Sequence, residues 1–328
     1  MLLKQLINKG VETISAVYPE REAREMVFAY LEHSIGTKRH THIVEPSYEV
    51  SDEHVSLAMS AFARMASGEP LQYVTGCADF YGRVFRVTAD VLIPRPETEI
   101  LCREVLACRS AGTGALDPRP RELGHPLAGG GLSRAPVPAE QLETTVPYVL
   151  DLCTGSGCIA WTLAMEMPGA KVTAVDISDG ALSVASSQDF ADEIARTGAL
   201  PPVFIKADVL ARPELPSCME QSAGAPLYDI LVSNPPYVMD KEKSLMRSNV
   251  LDHEPHLALF VSDDDPLVFY RAIVSWAQVF LKPDGYGIVE INEALGPQTA
   301  DLFRTAGFRD VRIIRDLSDR DRFVSFYR

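Results

Sequence analysis

The stretch that decides the fold is Val149-Leu150-Asp151-Leu152-Cys153-Thr154-Gly155-Ser156-Gly157-Cys158-Ile159-Ala160. It begins as an apolar strand, passes through a turn with two glycines and runs into the start of a helix. Glycines in such a turn let the backbone pass close to a ligand, and the free N–H groups at the start of the helix attract a polar or negatively charged group. The stretch therefore predicts a strand–turn–helix unit that binds a small molecule.

A carboxylate ends the next apolar strand: Asp176, which follows Gly157 by nineteen residues. A carboxylate at that point can accept hydrogen bonds from both hydroxyls of a ribose. The spacing of Gly155, Gly157 and Ala160 with a downstream acid also satisfies the dinucleotide-binding pattern. This part of the chain alone is therefore compatible with a nicotinamide dehydrogenase.

Strand-like and helix-like segments alternate from Tyr148 onward, which predicts a mainly parallel sheet with right-handed crossovers. A polar turn at residues 318–321 joins the last two strands, so we expect an antiparallel hairpin there. The predicted strands are 148–152, 171–175, 203–206, 229–232, 287–291, 311–315 and 323–327.

Three amphipathic helices are predicted before residue 70, the third over 51–67 with Ser51 as its N-cap. A hairpin turning at Gly82 is expected across residues 80–87. We accordingly expect a helical domain over 1–75, a hairpin linker over 76–96 and an α/β domain over 97–328. The residues expected to face inward on the three helices are Leu2, Leu3, Leu6, Ile7, Ala23, Met26, Val27, Tyr30, Leu31, Val55, Met59, Phe62 and Met65.

Residues 110–147 interrupt the α/β domain. They are rich in Gly, Pro, Ala and Arg and have Gly129-Gly130-Gly131 near their centre, with almost no apolar periodicity. Loops of this length inside a domain are either disordered or functional. We expect a flexible surface insertion here.

The overall composition excludes several classes of protein. The chain is 46% hydrophobic with no apolar run of about 20 residues, so we expect a globular cytoplasmic protein without a membrane contact. Its net charge of −14 and the absence of a basic stripe disfavour a direct nucleic-acid substrate. Its six cysteines form no C-x-x-C pair, so we expect reduced thiols and no metal.

The most specific motif is Ile230-Leu231-Val232-Ser233-Asn234-Pro235-Pro236-Tyr237, at the end of the fourth predicted strand. Consecutive prolines cannot continue a sheet, so the chain must leave it as a stiff, extended turn. The Asn234 amide oxygen and the Pro235 carbonyl are two fixed acceptors for one planar NH₂ group. Tyr237 would offer an aromatic face to the group that carries it. A plain Asn-Pro turn is the simpler alternative.

Asp208 is a second acid at the end of a strand, following the predicted strand 203–206. Ligands bind outside the carboxyl ends of strands in open parallel sheets. Asp208 is thus a candidate acceptor for an adenine amino group, although the cap of a helix is an almost equal alternative.

Together these motifs resemble the family of protein-(glutamine-N5) methyltransferases that act on class-I release factors. The resemblance covers almost the whole chain except the insertion. Its departures are residues 260–265, where a glycine-containing stretch is expected, and the lack of a glycine near Asn292. The stretches that carry the resemblance are Asp151–Gly157, Asp176, Asp208, Asn234–Tyr237, Glu69–Gly76, Val91–Glu99 and Glu254–Leu259.

The resemblance implies an α/β fold, with a seven-stranded Rossmann-like S-adenosylmethionine-dependent methyltransferase domain preceded by a small helical substrate-recognition domain. It implies methyl transfer from S-adenosyl-L-methionine to the amide nitrogen of a glutamine in a class-I peptide chain release factor, without a metal. Asn234 and Pro235 are the expected catalytic residues, and Asn234, Pro235, Pro236 and Tyr237 are expected to hold the substrate. The expected cofactor residues are Cys153, Thr154, Gly155, Ser156, Gly157, Asp176, Asp208, Val209 and Asn234.

Four alternatives stay open at this point. A glutamine in a ribosomal protein requires the same chemistry with another partner, and an adenine or cytosine amino group in nucleic acid also presents a planar NH₂. A nicotinamide dehydrogenase would leave the motif at 234–237 without a use. A non-catalytic binding module would bind the cofactor without turnover.

Overall fold

A computed structural model describes residues 1–110, 146–214 and 227–328 of the chain. Residues 111–145 of the expected insertion lie outside the described residues. The helices are α1 Leu3–Ile14, α2 Glu20–Ile35, α3 Thr41–Val44, α4 Asp52–Ala66, α5 Leu71–Thr75, α6 Glu99–Ser110, α7 Cys158–Glu166, α8 Asp179–Ser186, α9 Ala191–Thr197, α10 Ser248–His253, α11 His256–Leu259, α12 Val268–Phe280 and α13 Gly296–Thr305. The strands are β1 Cys77–Phe80, β2 Arg83–Arg86, β3 Tyr148–Leu152, β4 Lys171–Asp176, β5 Val203–Lys206, β6 Tyr228–Ser233, β7 Val238–Met239, β8 Phe260–Val261, β9 Leu281–Glu290, β10 Arg309–Arg315 and β11 Asp321–Tyr327.

The N-terminal helices form a unit with its own apolar core, in which α1 packs on α2 and α4. Ser51 caps α4 as predicted, because its hydroxyl oxygen accepts a hydrogen bond from the His54 N–H at 3.3 Å. The helices approach closely at Gly10, where an added Cβ would lie 2.7 Å from the Phe62 ring. Glycine at this position therefore allows α1 to lie close to α4. Four of the residues predicted to face inward are only half-buried: Leu2, Met26, Val55 and Met59.

The predicted hairpin is present, with β1 and β2 antiparallel and the turn at Tyr81 and Gly82. Gly82 has φ +73°, a left-handed conformation that favours glycine. Arg83 in β2 forms ion pairs with Glu166 and Glu193 beside the main sheet. The hairpin is thus fastened to the α/β part of the chain.

Seven strands of the described residues form the central sheet, in the order β10-β11-β9-β6-β3-β4-β5. β3, β4, β5, β6 and β9 are parallel to their neighbours within this group, while β11 runs antiparallel to both β9 and β10. This confirms the predicted α/β fold and its terminal antiparallel hairpin. Of the seven predicted strands, only β9 differs clearly, because it begins at Leu281 rather than at Gly287. Residues 282–285 are Lys-Pro-Asp-Gly, which show no apolar strand pattern in the sequence.

Side chains alternate between the two faces of the sheet, as the pleat requires. Val149 and Ile230 pack with α6 and α7 on one face, while Leu150 and Leu231 pack with α12 and α13 on the other. The parallel central strands all end at the same edge. The loops that follow β3, β4, β5 and β6 therefore meet there.

We expect Gly287→Ala to lower the free energy of unfolding by about 1–3 kcal/mol, because overpacking forces a shift in a close-packed core. Gly287 pairs with Phe326 on β11, and an added Cβ would lie 2.2 Å from that ring. The ring is fully buried and stacks on Phe303 with 4.1 Å between centroids. Chemical denaturation measures the effect, and Phe326→Leu in the same chain should recover part of it. Equal stability of Gly287→Ala and the parent would show that the ring moves freely.

Candidate active site

A cavity lies at the edge where the parallel strands end, the usual ligand site of open α/β sheets. Its wall combines the loops after β3, β4, β5 and β6 with residues 90–98 and part of α11. Of the predicted site residues, Gly157, Pro235 and Tyr237 are not part of this wall. Those that line it are Cys153, Thr154, Gly155, Ser156, Asp176, Asp208, Val209, Asn234 and Pro236.

The two glycines of the turn after β3 have different tasks. Gly155 has φ +55° and lines the cavity, with open space where a side chain would be. Gly157 has φ +79°, and an added Cβ would lie 3.0 Å from Ala185 and 3.1 Å from Trp161. Gly157 therefore allows the start of α7 to pack closely against α8, rather than lining the cavity as expected.

Asp176 is held in place by the backbone around it. One carboxylate oxygen accepts a hydrogen bond from the Gly155 N–H at 2.9 Å, and the other accepts one from the Ser178 N–H at 3.0 Å. Burial raises the pKa of Asp176, and these two hydrogen bonds oppose that shift. The carboxylate thus presents a fixed pair of acceptors to the cavity.

The loop after β5 is fixed by two further hydrogen bonds. Asp208 accepts one from the Leu210 N–H at 2.9 Å, so it caps a turn rather than a helix. The Trp276 indole N–H donates to the Val209 carbonyl at 3.0 Å. Both Asp208 and Val209 line the cavity.

Asn234 is connected to two residues that sequence reasoning did not assign, Thr98 and Glu290. The Asn234 side-chain NH₂ donates to the Thr98 hydroxyl oxygen at 3.2 Å, and the Thr98 hydroxyl donates to Glu290 at 2.7 Å. Glu290 is buried at the end of β9. In the sequence, an acid at the end of an apolar strand is the pattern that could have indicated it as a site residue. Thr98 lies in Val91–Glu99, one of the stretches that carry the resemblance, although no local pattern there singles out its hydroxyl.

Tyr237, predicted to contact the substrate, is not part of the cavity wall. Its hydroxyl donates to Glu290 Oε1 at 3.0 Å, so the side chain supports Glu290. Asn292 holds the same segment through the backbone, because its NH₂ donates to the Tyr237 carbonyl at 3.2 Å and to Glu242 at 2.8 Å. The chain that follows the Asn-Pro-Pro turn is therefore anchored at several points.

One buried carboxylate joins two of the stretches that carried the resemblance. Glu254 accepts hydrogen bonds from the Arg95 guanidinium at 2.6 Å and from the Ile93 N–H at 3.2 Å. Its side chain is only 1% exposed. Residues 90–98 are thereby held along one wall of the cavity.

The cavity wall is acidic. Among the described residues that line it, the charged side chains are Asp90, Asp176, Asp208 and Arg95. Arg95 is already paired with Glu254, so its charge is largely compensated. Such a wall attracts a cation and repels a pyrophosphate.

Comparison with known proteins identifies related domains and relatives of this chain. The model of the PrmC N-terminal domain matches residues 5–76, and the model of the methyltransferase small domain matches residues 137–257. A release factor glutamine methyltransferase from Bacteroides thetaiotaomicron is 37% identical over 80% of this chain and 77% of its own. One from Flavobacterium psychrophilum is 31% identical over 99% of this chain and 98% of its own.

The chain belongs to the release factor glutamine methyltransferase family. A crystal structure of a release factor-specific protein-(glutamine-N5) methyltransferase from Alicyclobacillus acidocaldarius is 25% identical to it, covers 74% of this chain and 99% of its own, and has a TM-score of 0.37. In this family member, no helix of residues 1–110, 146–214 and 227–328 is long and apolar enough to cross a membrane.

We expect Asp151→Asn to stabilise this family member relative to the parent as pH rises. Asp151 is fully buried below the turn and accepts a hydrogen bond from the Thr154 hydroxyl at 2.7 Å. Burial raises its pKa from 3.8 to about 7. The folded protein therefore holds the proton more tightly than the unfolded chain, and stability falls between these two values as pH rises.

The difference in unfolding free energy between variant and parent should grow by up to about 4 kcal/mol between pH 4 and pH 8, at about 1.36 kcal/mol per pKa unit. Denaturation at several pH values measures it. The control is Asp264→Asn, at an exposed carboxyl, which should show no such trend. A pH-independent difference for Asp151→Asn would contradict the raised pKa.

Proposed function

We propose that this chain transfers a methyl group from S-adenosyl-L-methionine to the side-chain amide nitrogen, N5, of a glutamine in a class-I peptide chain release factor. The observation that carries the proposal is the position of Asn234, an oriented amide in the wall of an acidic cavity at the sheet edge. The relatives named release factor glutamine methyltransferase support the same acceptor. Since release factors work in the cytoplasm, we place the chain there as well.

The residues that line the cavity suit S-adenosyl-L-methionine in their hydrogen-bonding groups and in their charge. Asp176 would accept the ribose hydroxyls, Asp208 and Val209 would face the adenine, and the turn Cys153–Ser156 would pass along the remainder. When bound, the cofactor supplies an electrophilic methyl carbon on a positively charged sulfur. The acidic wall supports a cationic ligand and argues against the pyrophosphate of a nicotinamide dinucleotide.

The task of the protein is to align a weak nucleophile. An amide nitrogen shares its lone pair with the neighbouring carbonyl, so it attacks poorly unless it is held and polarised. Asn234 Oδ1 and the Pro235 carbonyl would each accept one hydrogen of the substrate NH₂, which stabilises the positive charge that develops on nitrogen. Pro235 is buried between Asn234 and Pro236, which both line the cavity. The methylated amide then loses its extra proton to water, so no strong base is needed.

We also propose the division into a helical substrate-recognition domain over 1–75, a hairpin linker over 76–96 and a methyltransferase domain over 97–328, with a flexible insertion over 110–147. The separate apolar core of α1, α2 and α4 supports the first boundary. Arg247, beside α10, pairs with Glu22 of the helical unit at 3.0 Å. This contact joins the helical unit to the segment that follows the Asn-Pro-Pro turn, a suitable arrangement for presenting a protein substrate.

Asp176→Ala should weaken binding of S-adenosyl-L-methionine, because hydrogen bonds to a charged group contribute about 1.5–3 kcal/mol each. Titration calorimetry measures the affinity. Asp179→Ala is the matched control, because it removes a nearby acid that pairs with Lys206 and does not line the cavity. Unchanged affinity in folded Asp176→Ala would remove Asp176 from the cofactor site, while tight NAD binding by the parent would favour a dehydrogenase.

Asn234→Ala should reduce turnover by roughly 10²–10³-fold, the usual effect of losing one preorganised polar contact. Cofactor affinity should change much less, because the adenine and ribose contacts come from other loops. Steady-state kinetics with the protein acceptor and calorimetry with the cofactor separate the two effects. Full turnover in the variant would show that the Asn234 amide does not orient the acceptor.

The substrate itself is tested with labelled methyl donor and an intact class-I release factor, with the methyl group located by mass spectrometry. We expect labelling of a glutamine on an exposed loop, since the amide must reach the sheet edge without unfolding its parent protein. Replacing that glutamine by alanine should abolish labelling. Labelling of adenine in DNA or RNA, or of a ribosomal protein alone, would overturn the assignment of the substrate and leave the fold unaffected.

A further inference from the structure

The hydrogen-bond chain Asn234–Thr98–Glu290 does more than fill the space behind the cavity. Thr98 and Glu290 are 2% and 1% exposed, so water does not compete for their polar atoms. Glu290 accepts hydrogen bonds from two hydroxyls. Thr98 donates to Oε2 at 2.7 Å, and Tyr237 donates to Oε1 at 3.0 Å. Two hydroxyl donors on the two oxygens of one carboxyl group match an ionised carboxylate, which has no hydrogen to give.

This arrangement determines which way the Asn234 amide faces. A threonine hydroxyl has one hydrogen to donate, and here it donates that hydrogen bond to Glu290. The Thr98 oxygen can then only accept, so it must be met by the NH₂ of Asn234 and not by its carbonyl oxygen. With the amide turned the other way, two acceptors without a hydrogen between them would face each other inside the protein, which is unfavourable.

We propose that Thr98 and Glu290 are positioning residues that set the polarity of the Asn234 amide, so that Oδ1 is the atom presented to the NH₂ of the acceptor. The inference rests on the proposed function, in which Asn234 Oδ1 accepts a hydrogen of the substrate amide. The reverse orientation would place one NH₂ group against another and would hinder methyl transfer.

Three groups around Glu290 favour its ionised form and oppose the effect of burial. Burial raises the pKa of Glu290, whereas the hydrogen bonds from Thr98 and Tyr237 and the positive charge of Arg322 oppose that shift. Thr98 also lines the cavity, between the Glu290 carboxylate and Asn234. Its hydroxyl therefore connects the buried Glu290 carboxylate to the Asn234 amide at the cavity wall.

The test compares Thr98→Val, which keeps the shape and removes the hydroxyl, with Thr98→Ser, which keeps the hydroxyl. We expect Thr98→Val to lower kcat for release-factor methylation by roughly 10- to 100-fold, since small misplacements of reacting groups have effects of that size. KM for the release factor and the cofactor Kd should stay within about threefold, because most of their contacts lie elsewhere. Thr98→Ser should restore kcat to within about threefold of the parent.

Thr299→Val is the matched control for replacing a buried threonine. Thr299 lies on α13, away from the cavity wall, and its hydroxyl has no partner among the described residues. This variant should keep full activity. If Thr98→Val instead loses cofactor binding with kcat unchanged at saturation, Thr98 is a cofactor ligand and the proposal is overturned.

A double-mutant cycle separates polarity from mere support of the fold. In an Asn234→Ala background, adding Thr98→Val should cause no further loss of kcat beyond about twofold, since no amide remains to be oriented. A further loss equal to that of Thr98→Val alone would show that Thr98 acts independently of Asn234, which overturns the proposal.

Glu290→Gln provides a second variant that does not depend on folding of Thr98→Val. The glutamine amide can turn either its oxygen or its NH₂ toward Thr98, so the orientation of the Asn234 amide is no longer fixed. We therefore expect kcat to fall several-fold when Glu290→Gln is made in the parent. The same substitution in Asn234→Ala should leave kcat unchanged. An unchanged kcat in the parent background would remove Glu290 from the proposal. Parent enzyme that fails to methylate the glutamine would refute the proposed function instead, so the two failures are distinguishable.

Discussion

The parallel register at the centre of the sheet is the constraint on which the rest of the structure depends. Leu152 at the end of β3 lies opposite both Val175 and Ser233, so three strands end at the same level. The Ser233 hydroxyl extends the pairing by donating to the Leu152 carbonyl at 2.7 Å. Because the strands stop together, the glycine turn, Asp176 and Asn234 come within one cavity although they are far apart in the chain.

Buried carboxylates then convert this edge into a site with fixed geometry. Glu254 holds the segment before α6, Glu290 holds Thr98 and Tyr237, and Asp151 holds Thr154. Each of these acids is almost completely buried, and burial raises the pKa of Glu290 and of Asp151. Removing a charge from water is unfavourable, so the arrangement gives up some stability in return for polar groups that cannot rotate.

The same edge collects negative charge at the cavity itself. Asp90, Asp176 and Asp208 face it, and the compensating Arg95 is engaged with Glu254. This distribution favours a cationic cofactor over the pyrophosphate of a dinucleotide, whereas the glycine turn alone is compatible with both. The preference for a cationic cofactor therefore comes from acidic residues on several loops, not from the glycine pattern.

Local patterns in the sequence by themselves determined the succession of strands and helices along the chain, the Ser51 cap and the turn at Gly82. They also determined the acids at the carboxyl ends of β4 and β5. Each depends on residues close together in the chain, whose periodicity or backbone preference acts over a few positions. The Asn-Pro-Pro-Tyr motif was also visible, because prolines interrupt a strand wherever they stand. The resemblance built on these motifs led to the family that the relatives support.

Only the tertiary structure decided how these parts are joined. Thr98 and Glu290 are separated by 192 positions, and no local pattern pairs one particular hydroxyl with one particular carboxylate across that distance. The same is true of Gly157, which packs against α8 and is not part of the cavity wall, and of Tyr237, whose hydroxyl donates to Glu290. Side-chain direction at these positions depends on neighbours that folding brings together, whereas chemical type and position along a strand are set by the sequence alone.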